Sequence, residues 1–240
     1  MRIEEVSKVA VLGAGTMGHG IAEVAALAGY QVSLYDVEQK FLDSGLQKIR
    51  WSLSKLEEKG NLPHQRAEET FARVKPTLSL DQAVSDADVV IEAVPEDPEL
   101  KKKIFSQIDK INRRALLASN TSTIPISEIS SASNRKENFV GLHFFNPPVL
   151  MPLVEVVRGG KTDDSTISLA RDLVRKFGKQ AVICNKDVPG FIVNRILGPL
   201  MNEAAWMVAR NKTTVEAVDS CAIFKAGLPM GVFELADYSG

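Results

Sequence analysis

His143 and Glu155 are the residues of this chain whose types and surroundings best fit proton transfer. His143 ends an apolar run and precedes an Asn-Pro-Pro turn at residues 146–148. Glu155 lies inside a second apolar run, residues 153–157, where a lone carboxylate needs a hydrogen-bonding partner. A neighbouring histidine would satisfy it, and the carboxylate would orient the imidazole ring and favour its charged form. Such a pair is suited to taking the proton of a hydroxyl group while a hydride leaves the same carbon.

The pattern alone leaves a second interpretation of His143 open, because an isolated histidine at a strand end is also typical of a structural residue. The other two histidines, His19 and His64, are expected to be structural or exposed. His19 falls in the first turn of a predicted helix, and His64 falls in a link between two predicted helices.

A glycine-rich loop directly follows the first apolar run, residues 9–12, and indicates a dinucleotide site. The three glycines serve different purposes, since one permits a tight turn, one lets the backbone approach a pyrophosphate and one lets the following helix pack closely. The free N–H groups at that helix N-terminus favour phosphate. The loop consists of Gly13, Ala14, Gly15, Thr16, Met17 and Gly18.

Asp36 closes the next apolar run, residues 32–35, and completes the pattern. Its carboxylate would accept hydrogen bonds from both ribose hydroxyls and repel a 2′-phosphate, so we expect NAD rather than NADP. The alternative is a glycine-rich turn in another kind of α/β protein. No metal site is expected.

Three further sets of polar residues lie after a predicted strand or within predicted helices. Residues 119–123 follow a strand, where they would bind a cofactor or substrate, or would cap the next helix. Asn194 lies one turn into a helix after Pro189-Gly190 and would face a cleft between domains or solvent. Residues 101–103, three lysines, are expected to form a solvated helix face, with a phosphate contact as the alternative.

The elements that must position these residues alternate between strands and helices, which predicts a doubly wound, Rossmann-like parallel sheet. A helical hairpin at about residues 38–73 interrupts this alternation between the second and third strands. The later strands, from residue 139 onward, show more alternation of apolar and polar residues and are joined by short links. We therefore expect an antiparallel portion of the sheet there. Strands are predicted at residues 8–12, 31–35, 74–79, 89–93, 116–119, 139–143, 153–157 and 180–184.

The chain is expected to divide into a dinucleotide-binding domain, residues 1–186, and an all-helical domain that begins at residue 187. A long helix at residues 191–210 is apolar over a wide arc, which predicts packing partners on more than one side. Little more than two helices follow Pro189-Gly190, which is thin for an independent core. We therefore expect either a partner chain or a longer natural protein.

The composition is that of an ordinary globular protein. The formal net charge is −1, so no global field attracts nucleic acid or an anionic membrane. No apolar run has the length of a membrane span, and the first strand begins too close to Met1 for a signal segment. Cys184 and Cys221 have no paired spacing and are expected to be reduced thiols. We expect a cytoplasmic protein.

Six segments in this order resemble the 3-hydroxyacyl-CoA dehydrogenase family, and the resemblance covers residues 8–240. They are Gly-Ala-Gly-Thr-Met-Gly at 13–18, Ala-Ser-Asn-Thr-Ser at 118–122, Gly-Leu-His-Phe-Phe-Asn-Pro at 141–147, Leu-Val-Glu-Val-Val at 153–157, Pro-Gly-Phe-Ile-Val-Asn-Arg at 189–195 and Gly-Leu-Pro-Met-Gly at 227–231, before Phe233-Glu234-Leu235. The resemblance implies reversible, NAD-dependent oxidation of an (S)-3-hydroxyacyl-CoA to the 3-oxoacyl-CoA, in β-oxidation or butanoate-type metabolism.

The resemblance also implies roles for individual residues. His143 corresponds to the catalytic base and acid, and Glu155 to its orienting carboxylate. Ser122 and Asn194 correspond to groups that bind the reacting oxygen or thioester. Further contacts are implied to the cofactor for Asp36, Glu96, Lys101, Asn120 and Ser122, and to the CoA substrate for Ser52, Lys59 and Asn146.

Family members usually continue beyond the position of Gly240 with helices that carry a homodimer interface. Some are fused to an enoyl-CoA hydratase domain. The resemblance therefore implies an acyl-CoA substrate, a homodimer when those helices are present, and fusion to or association with a hydratase in some cases.

Three alternatives differ in chemistry. Enzymes of the 3-hydroxyisobutyrate or phosphogluconate type use a lysine base, which His143 and Glu155 do not favour. A relative that acts on a non-CoA hydroxy acid such as gulonate is distinguished by substrate comparison. A catalytically silent NAD-binding protein, like the lens crystallins that resemble this family, is disfavoured by the presence of His143, Glu155, Ser122 and Asn194.

Overall fold

Strands and helices alternate along most of the chain in the structure, a computed structural model that describes residues 1–239. The strands are β1 (Lys8–Leu12), β2 (Gln31–Tyr35), β3 (Val74–Thr77), β4 (Val89–Glu92), β5 (Leu116–Ser119), β6 (Phe139–Phe144), β7 (Leu153–Arg158) and β8 (Gln180–Cys184). The α-helices are α1 (Gly18–Leu27), α2 (Gln39–Glu58), α3 (His64–Arg73), α4 (Leu80–Val84), α5 (Pro98–Ile111), α6 (Ile126–Ile129), α7 (Asp164–Lys176), α8 (Val193–Ala209), α9 (Val215–Phe224) and α10 (Val232–Ser239).

The strands form one sheet in the order β3-β2-β1-β4-β5-β6-β7-β8. Strands β1 to β6 run parallel, β7 pairs antiparallel to β6, and β8 pairs parallel to β7. The predicted Rossmann-like sheet and its antiparallel end are thus confirmed. The chain order reverses between β1 and β4, and ligands of open α/β sheets bind beside such a switch point, at the carboxyl ends of the strands.

The central strands are buried on both faces because helices cover both sides. All four residues of β4 and of β5 are buried, as is β1 after its first residue. This burial explains their continuous apolar sequence. β3 and β4 end earlier than the sequence predicts, since the side chains of Thr77 and Glu92 each accept a backbone N–H two residues further on and turn the chain.

The predicted helical hairpin is confirmed as α2 and α3, inserted between β2 and β3. Its apolar side packs on α1 through Leu42, Ile49 and Leu53. The opposite side of α2 is exposed and mostly polar, as its charge pattern predicts, although it also carries the exposed ring of Trp51. At Gly45 the hairpin comes so close to the glycine loop that an added Cβ would stand 2.9 Å from the Ala14 carbonyl oxygen.

The chain divides into two compact units, Met1–Phe191 and Ile192–Gly240. The second unit has a small core of Ala204, Ala222 and Val232, with Asp219 accepting the N–H groups of Phe233 and Glu234 at the start of α10. Several large apolar side chains of this unit are exposed in the described residues. They are Ile196, Leu200, Trp206, Met207, Val215, Phe224 and Tyr238.

Within residues 1–239, the structure contains no helix with the length and apolar character that crossing a lipid bilayer requires.

Candidate active site

His143 and Glu155 are direct cross-strand partners in the antiparallel pair β6–β7. Residues opposite each other in such a pair place their side chains on the same face of the sheet. The imidazole Nδ1 lies 2.6 Å from Glu155 Oε2, so the pair is hydrogen-bonded. The structure therefore brings together the two residues that the sequence singles out, and it rules out a histidine that lies apart from the carboxylate.

Both members of this pair are almost fully removed from solvent. His143 is 4% exposed and Glu155 is 0% exposed. A carboxylate so buried holds its partner strongly, because an unpaired charge there is costly. A proton on Nδ1 would be donated to Glu155, which would leave Nε2 as the ring nitrogen able to accept a proton from a ligand.

Two aromatic rings enclose the imidazole, and the sequence did not indicate either of them. The ring centroids of Phe145 and Phe191 lie 4.5 and 5.7 Å from that of His143. Phe191 has a φ of 47°, a left-handed conformation that is unusual for a bulky residue. Strain of this kind persists where the surroundings enforce it, often at functional sites. The Pro189-Gly190 dipeptide signalled only the start of a helix.

The glycine loop has the geometry that a dinucleotide-binding turn requires at each of its three glycines. Gly13 has a φ of 98°, and a Cβ there would stand 2.6 Å from the Ala93 carbonyl oxygen. A Cβ on Gly18 would collide with the Gly13 carbonyl at 1.7 Å. Beside Gly15, in contrast, no heavy atom lies within 4 Å of an added Cβ. The backbone is thus open to a ligand at Gly15, the position where a pyrophosphate would approach.

Asp36 follows β2 and holds this loop in place. Its Oδ2 accepts the N–H of Ala14 at 2.8 Å, and its Oδ1 accepts the N–H of Val37 at 2.7 Å. A carboxylate has about four acceptor sites, so two remain for ribose hydroxyls. Open backbone at Gly15, a carboxylate at the end of β2 and the switch point together fit a dinucleotide such as NAD.

Two contacts at the carboxyl ends of the strands involve the end of β6 or the turn that follows it, one made by helix α1 and one by the segment after β5. A Cβ on Gly20 of α1 would stand 2.9 Å from Pro148 Cδ, so α1 abuts the turn after β6. Asn120, which follows β5, accepts the N–H of Phe144 at 2.9 Å through Oδ1. Asn146 is exposed in the same turn. The glycine loop and the His143–Glu155 pair therefore share one edge of the sheet.

A charged cluster lies at this edge between β4 and β5. Lys101 Nζ donates to Glu92 Oε1 at 2.6 Å and lies 3.2 Å from Glu96 Oε2. Glu96 Oε1 accepts the hydroxyl of Thr121 at 2.5 Å and the N–H of Ser122 at 2.8 Å. Burial disfavours the charged form of Glu96, yet the Thr121 hydroxyl, the Lys101 charge and the Ser122 N–H together hold its pKa below the ordinary value.

The prediction of a solvated face for residues 101–103 is wrong for Lys101, whose side chain is 1% exposed. Lys101 shares the inner face of α5 with Ile104, Phe105 and Ile108. Burial raises the pKa of Glu92, and the Lys101 ammonium opposes that rise by stabilising the carboxylate.

Ser52, predicted to contact CoA, donates its hydroxyl to Glu23 Oε1 at 2.7 Å. Glu23 is 0% exposed on α1, and its Oε2 has no hydrogen-bond partner in the described residues. Burial raises the pKa of Glu23 to about 7, although the Ser52 hydrogen bond lowers it in part. Sequence reasoning missed Glu23, a lone acid in an apolar helix. Lys59 is exposed just after α2.

Glu23→Gln is expected to stabilise the protein above neutral pH. The folded state binds the Glu23 proton more tightly than the unfolded chain does, so the stability from this group falls as pH rises from about 4.5 to about 7. Gln retains an acceptor for Ser52 and cannot ionise. We expect a gain of about 2–3 kcal/mol in the free energy of unfolding near pH 8, which shrinks towards pH 5.

Denaturant unfolding at several pH values measures this difference, and exposed Glu69→Gln on α3 serves as the control. An E23Q gain that is the same at every pH would contradict the assignment of a shifted titration to Glu23.

Asn194 is the second residue of α8 and belongs to the second unit, so its place beside the substrate stays a prediction. Ser122 follows β5, and its backbone N–H donates to Glu96.

Comparison with known proteins agrees with this geometry. The family model described as 3-hydroxyacyl-CoA dehydrogenase, NAD binding domain, matches residues 8–188, and that of the family's C-terminal domain matches residues 190–240. A 3-hydroxybutyryl-CoA dehydrogenase of Bradyrhizobium diazoefficiens is 42% identical over 236 residues, which are 98% of this chain and 80% of that protein.

A larger protein, the fatty acid oxidation complex subunit alpha of Acinetobacter baylyi, is 40% identical over 236 residues, 98% of this chain and 32% of its own length. The crystal structure of (S)-3-hydroxybutyryl-CoA dehydrogenase PaaH1 from Ralstonia eutropha matches with a TM-score of 0.94 at 37% identity, covering 98% of this chain and 83% of that one. The chain therefore belongs to the 3-hydroxyacyl-CoA dehydrogenase family and contains its NAD-binding domain.

Proposed function

We propose that this protein catalyses the reversible oxidation of an (S)-3-hydroxyacyl-CoA to the 3-oxoacyl-CoA with NAD⁺. The observation that carries the proposal is the buried His143–Glu155 pair at the same sheet edge as the glycine loop. A proton acceptor beside a nicotinamide site is what oxidation of a secondary alcohol requires. The function of the relatives named above supports the same substrate class.

In the oxidation direction, Nε2 of His143 takes the proton of the C3 hydroxyl group as the carbonyl forms. When bound, NAD⁺ would supply the acceptor for the hydride that leaves C3. Glu155 keeps the ring oriented through Nδ1 and stabilises the imidazolium that results, without taking the proton itself. In the reverse direction, the imidazolium returns the proton to the carbonyl oxygen. The enclosing Phe145 and Phe191 rings hold water away and strengthen these charge interactions.

The remaining site residues divide between cofactor and substrate. We propose that NAD is held by the backbone of residues 13–18, by Asp36, and by Glu96, Asn120 and Ser122. Lys101 acts on the cofactor through Glu96, because its own side chain is buried. We propose that Ser122 and Asn194 bind the reacting oxygen or the thioester. Contacts with CoA are proposed for Ser52, Lys59 and Asn146.

A substrate comparison tests this function. We expect the protein to oxidise NADH with acetoacetyl-CoA and not with acetoacetate, measured as loss of NADH absorbance. Turnover of the free acid, or of gulonate in the reverse direction, would replace the acyl-CoA assignment with a hydroxy-acid one. NADH binding without any turnover would favour a silent NAD-binding protein.

Asp36→Ala is expected to weaken NADH binding roughly 10- to 100-fold, since a hydrogen bond to a charged group is worth about 1.5–3 kcal/mol. NADPH binding should weaken far less, because the repulsion of its 2′-phosphate is removed with the carboxylate. Fluorescence titration measures both affinities, with Asp43→Ala on α2 as the control. Equal losses for the two cofactors would contradict the ribose role of Asp36.

We further propose that the protein forms a homodimer through its C-terminal helices when that helical domain is complete. The exposed apolar side chains of α8 and α9, among them Ile196, Trp206 and Phe224, support this proposal. Nearly the whole of this chain matches part of a larger protein, the fatty acid oxidation complex subunit alpha. This match supports the proposal of an association with an enoyl-CoA hydratase. A cytoplasmic location is proposed as well.

A further inference from the structure

Glu92 is a buried carboxylate at the active edge of the sheet to which the mechanism above gives no role. It is the last residue of β4 and is 0% exposed. Its Oε1 accepts Lys101 Nζ at 2.6 Å and the N–H of Val94 at 2.8 Å. Its Oε2 accepts the hydroxyl of Ser119, the last residue of β5, at 2.6 Å. Glu92 therefore joins the ends of two neighbouring strands to α5.

The contacts continue from Glu92 to the loop that bears Ser122. Lys101 bridges the carboxylates of Glu92 and Glu96. Glu96 in turn accepts the N–H groups of Ser122 and Thr123, at 2.8 and 3.2 Å. Each member of this chain of contacts is held by a charged partner, and charge-assisted hydrogen bonds are about twice as strong as neutral ones.

This cluster borders the cofactor loop on its other side. Ala93, the residue after Glu92, presents its carbonyl group where a Cβ on Gly13 would lie. The segment 92–96 thus lies between the glycine loop and residues 121–123, and a shift in this segment reaches both.

We propose that Glu92 is a positioning residue: through Lys101 and Glu96 it fixes the backbone of residues 121–123 and so places Ser122 for the reaction. The proposal rests on the proposed function, in which Ser122 binds the reacting oxygen or thioester. A buried ion pair often adds little net stability over neutral residues of similar size. Removal of the Glu92–Lys101 ion pair should therefore lower activity while it leaves the stability of the protein nearly unchanged.

The double variant E92Q/K101M tests the proposal, since it removes both buried charges at nearly constant volume. We expect a Tm close to that of the wild type, while kcat with acetoacetyl-CoA, measured at saturating NADH, falls roughly 10- to 100-fold through misplacement of Ser122. Hydrogen exchange at the amides of residues 121–123 should accelerate, because Glu96 loses its anchor.

The matched control is D109N/R135M, which removes another buried ion pair, one that holds the opposite end of β5 through Ala115. We expect the control to lower the Tm, because Arg135 also donates to the buried carbonyl oxygens of Ala115 and Asn112, which lose this partner. The control should leave kcat and exchange at residues 121–123 unchanged. Equal kcat losses in both double variants, or unchanged kcat in E92Q/K101M, would overturn the proposal.

A second variant, E92D, covers the case in which the double variant folds poorly. It keeps both charges and withdraws the carboxylate from Lys101 by one methylene, so we expect kcat at saturating NADH to fall by about fivefold or more. Wild-type kcat in E92D would also overturn the proposal. Failure of the proposed function and failure of the role of Glu92 give different results. If the wild-type protein does not turn over acetoacetyl-CoA, the proposed function is refuted. If hydrogen exchange at residues 121–123 is unchanged in the variants, the role of Glu92 is refuted.

Discussion

His143→Gln is expected to lower kcat by about 10³- to 10⁴-fold, the upper part of the range for loss of a positioned acid–base group. Glutamine has nearly the size of histidine and fills the space beside Phe145 and Phe191. It does not accept and return a proton near neutral pH. NADH binding should stay close to that of the wild type, because the glycine loop and Asp36 do not depend on the imidazole.

Steady-state kinetics with acetoacetyl-CoA and a fluorescence titration with NADH measure these two quantities. His64→Gln is the matched control, since His64 is an exposed residue of the hairpin that pairs with Glu57. It should retain wild-type kcat. A His143→Gln enzyme with near wild-type turnover would show that another group moves the proton.

Glu155→Gln is expected to lower kcat by about 10²- to 10³-fold, the second largest effect. The amide offers no negative charge to the imidazolium, and its NH₂ group competes with the Nδ1 proton, which favours the wrong tautomer. The protein should still fold, because the amide fills the same buried position and retains one acceptor.

We propose that Glu155 acts through His143, and a double-mutant cycle tests that link. The H143Q/E155Q variant should be no slower than H143Q alone, because residues that act as a unit give non-additive losses. If the two losses multiplied instead, Glu155 would contribute independently of His143.

The His143–Glu155 pair was predictable from the sequence because each residue interrupts or ends an apolar run. A lone polar group among buried residues signals a partner, and the pattern named both members. The register was not predictable: the cross-strand alignment of β6 and β7 depends on how residues 145–152 turn the chain. Only the structure shows that the two residues lie opposite each other.

The same signal was present for Glu92 and Glu23, and in both cases sequence reasoning passed over it. Each acid lies in an apolar element, β4 or α1, and each is fully buried. Lys101 carried a related signal, since it shares a helical repeat with Ile104, Phe105 and Ile108 on the buried face of α5. The run of three lysines obscured this repeat and favoured the interpretation of a solvated face.

The contribution of Phe191 lay beyond what the sequence can indicate. A positive φ at a phenylalanine is set by tertiary packing, so no local pattern predicts it. The sheet order, in contrast, follows from the alternation of strands and helices and from the usual crossover rules, which is why the overall fold was predictable.

The proposed reaction transfers hydride directly from C3 of the substrate to NAD⁺, and an isotope experiment follows that transfer. The protein would be incubated with NAD⁺ and (S)-3-hydroxybutyryl-CoA that carries deuterium at C3, and the NADH formed would be analysed by mass spectrometry. We predict that the deuterium appears in NADH, with acetoacetyl-CoA as the other product. Formation of unlabelled NADH, or no NADH from the thioester at all, would contradict direct hydride transfer from C3.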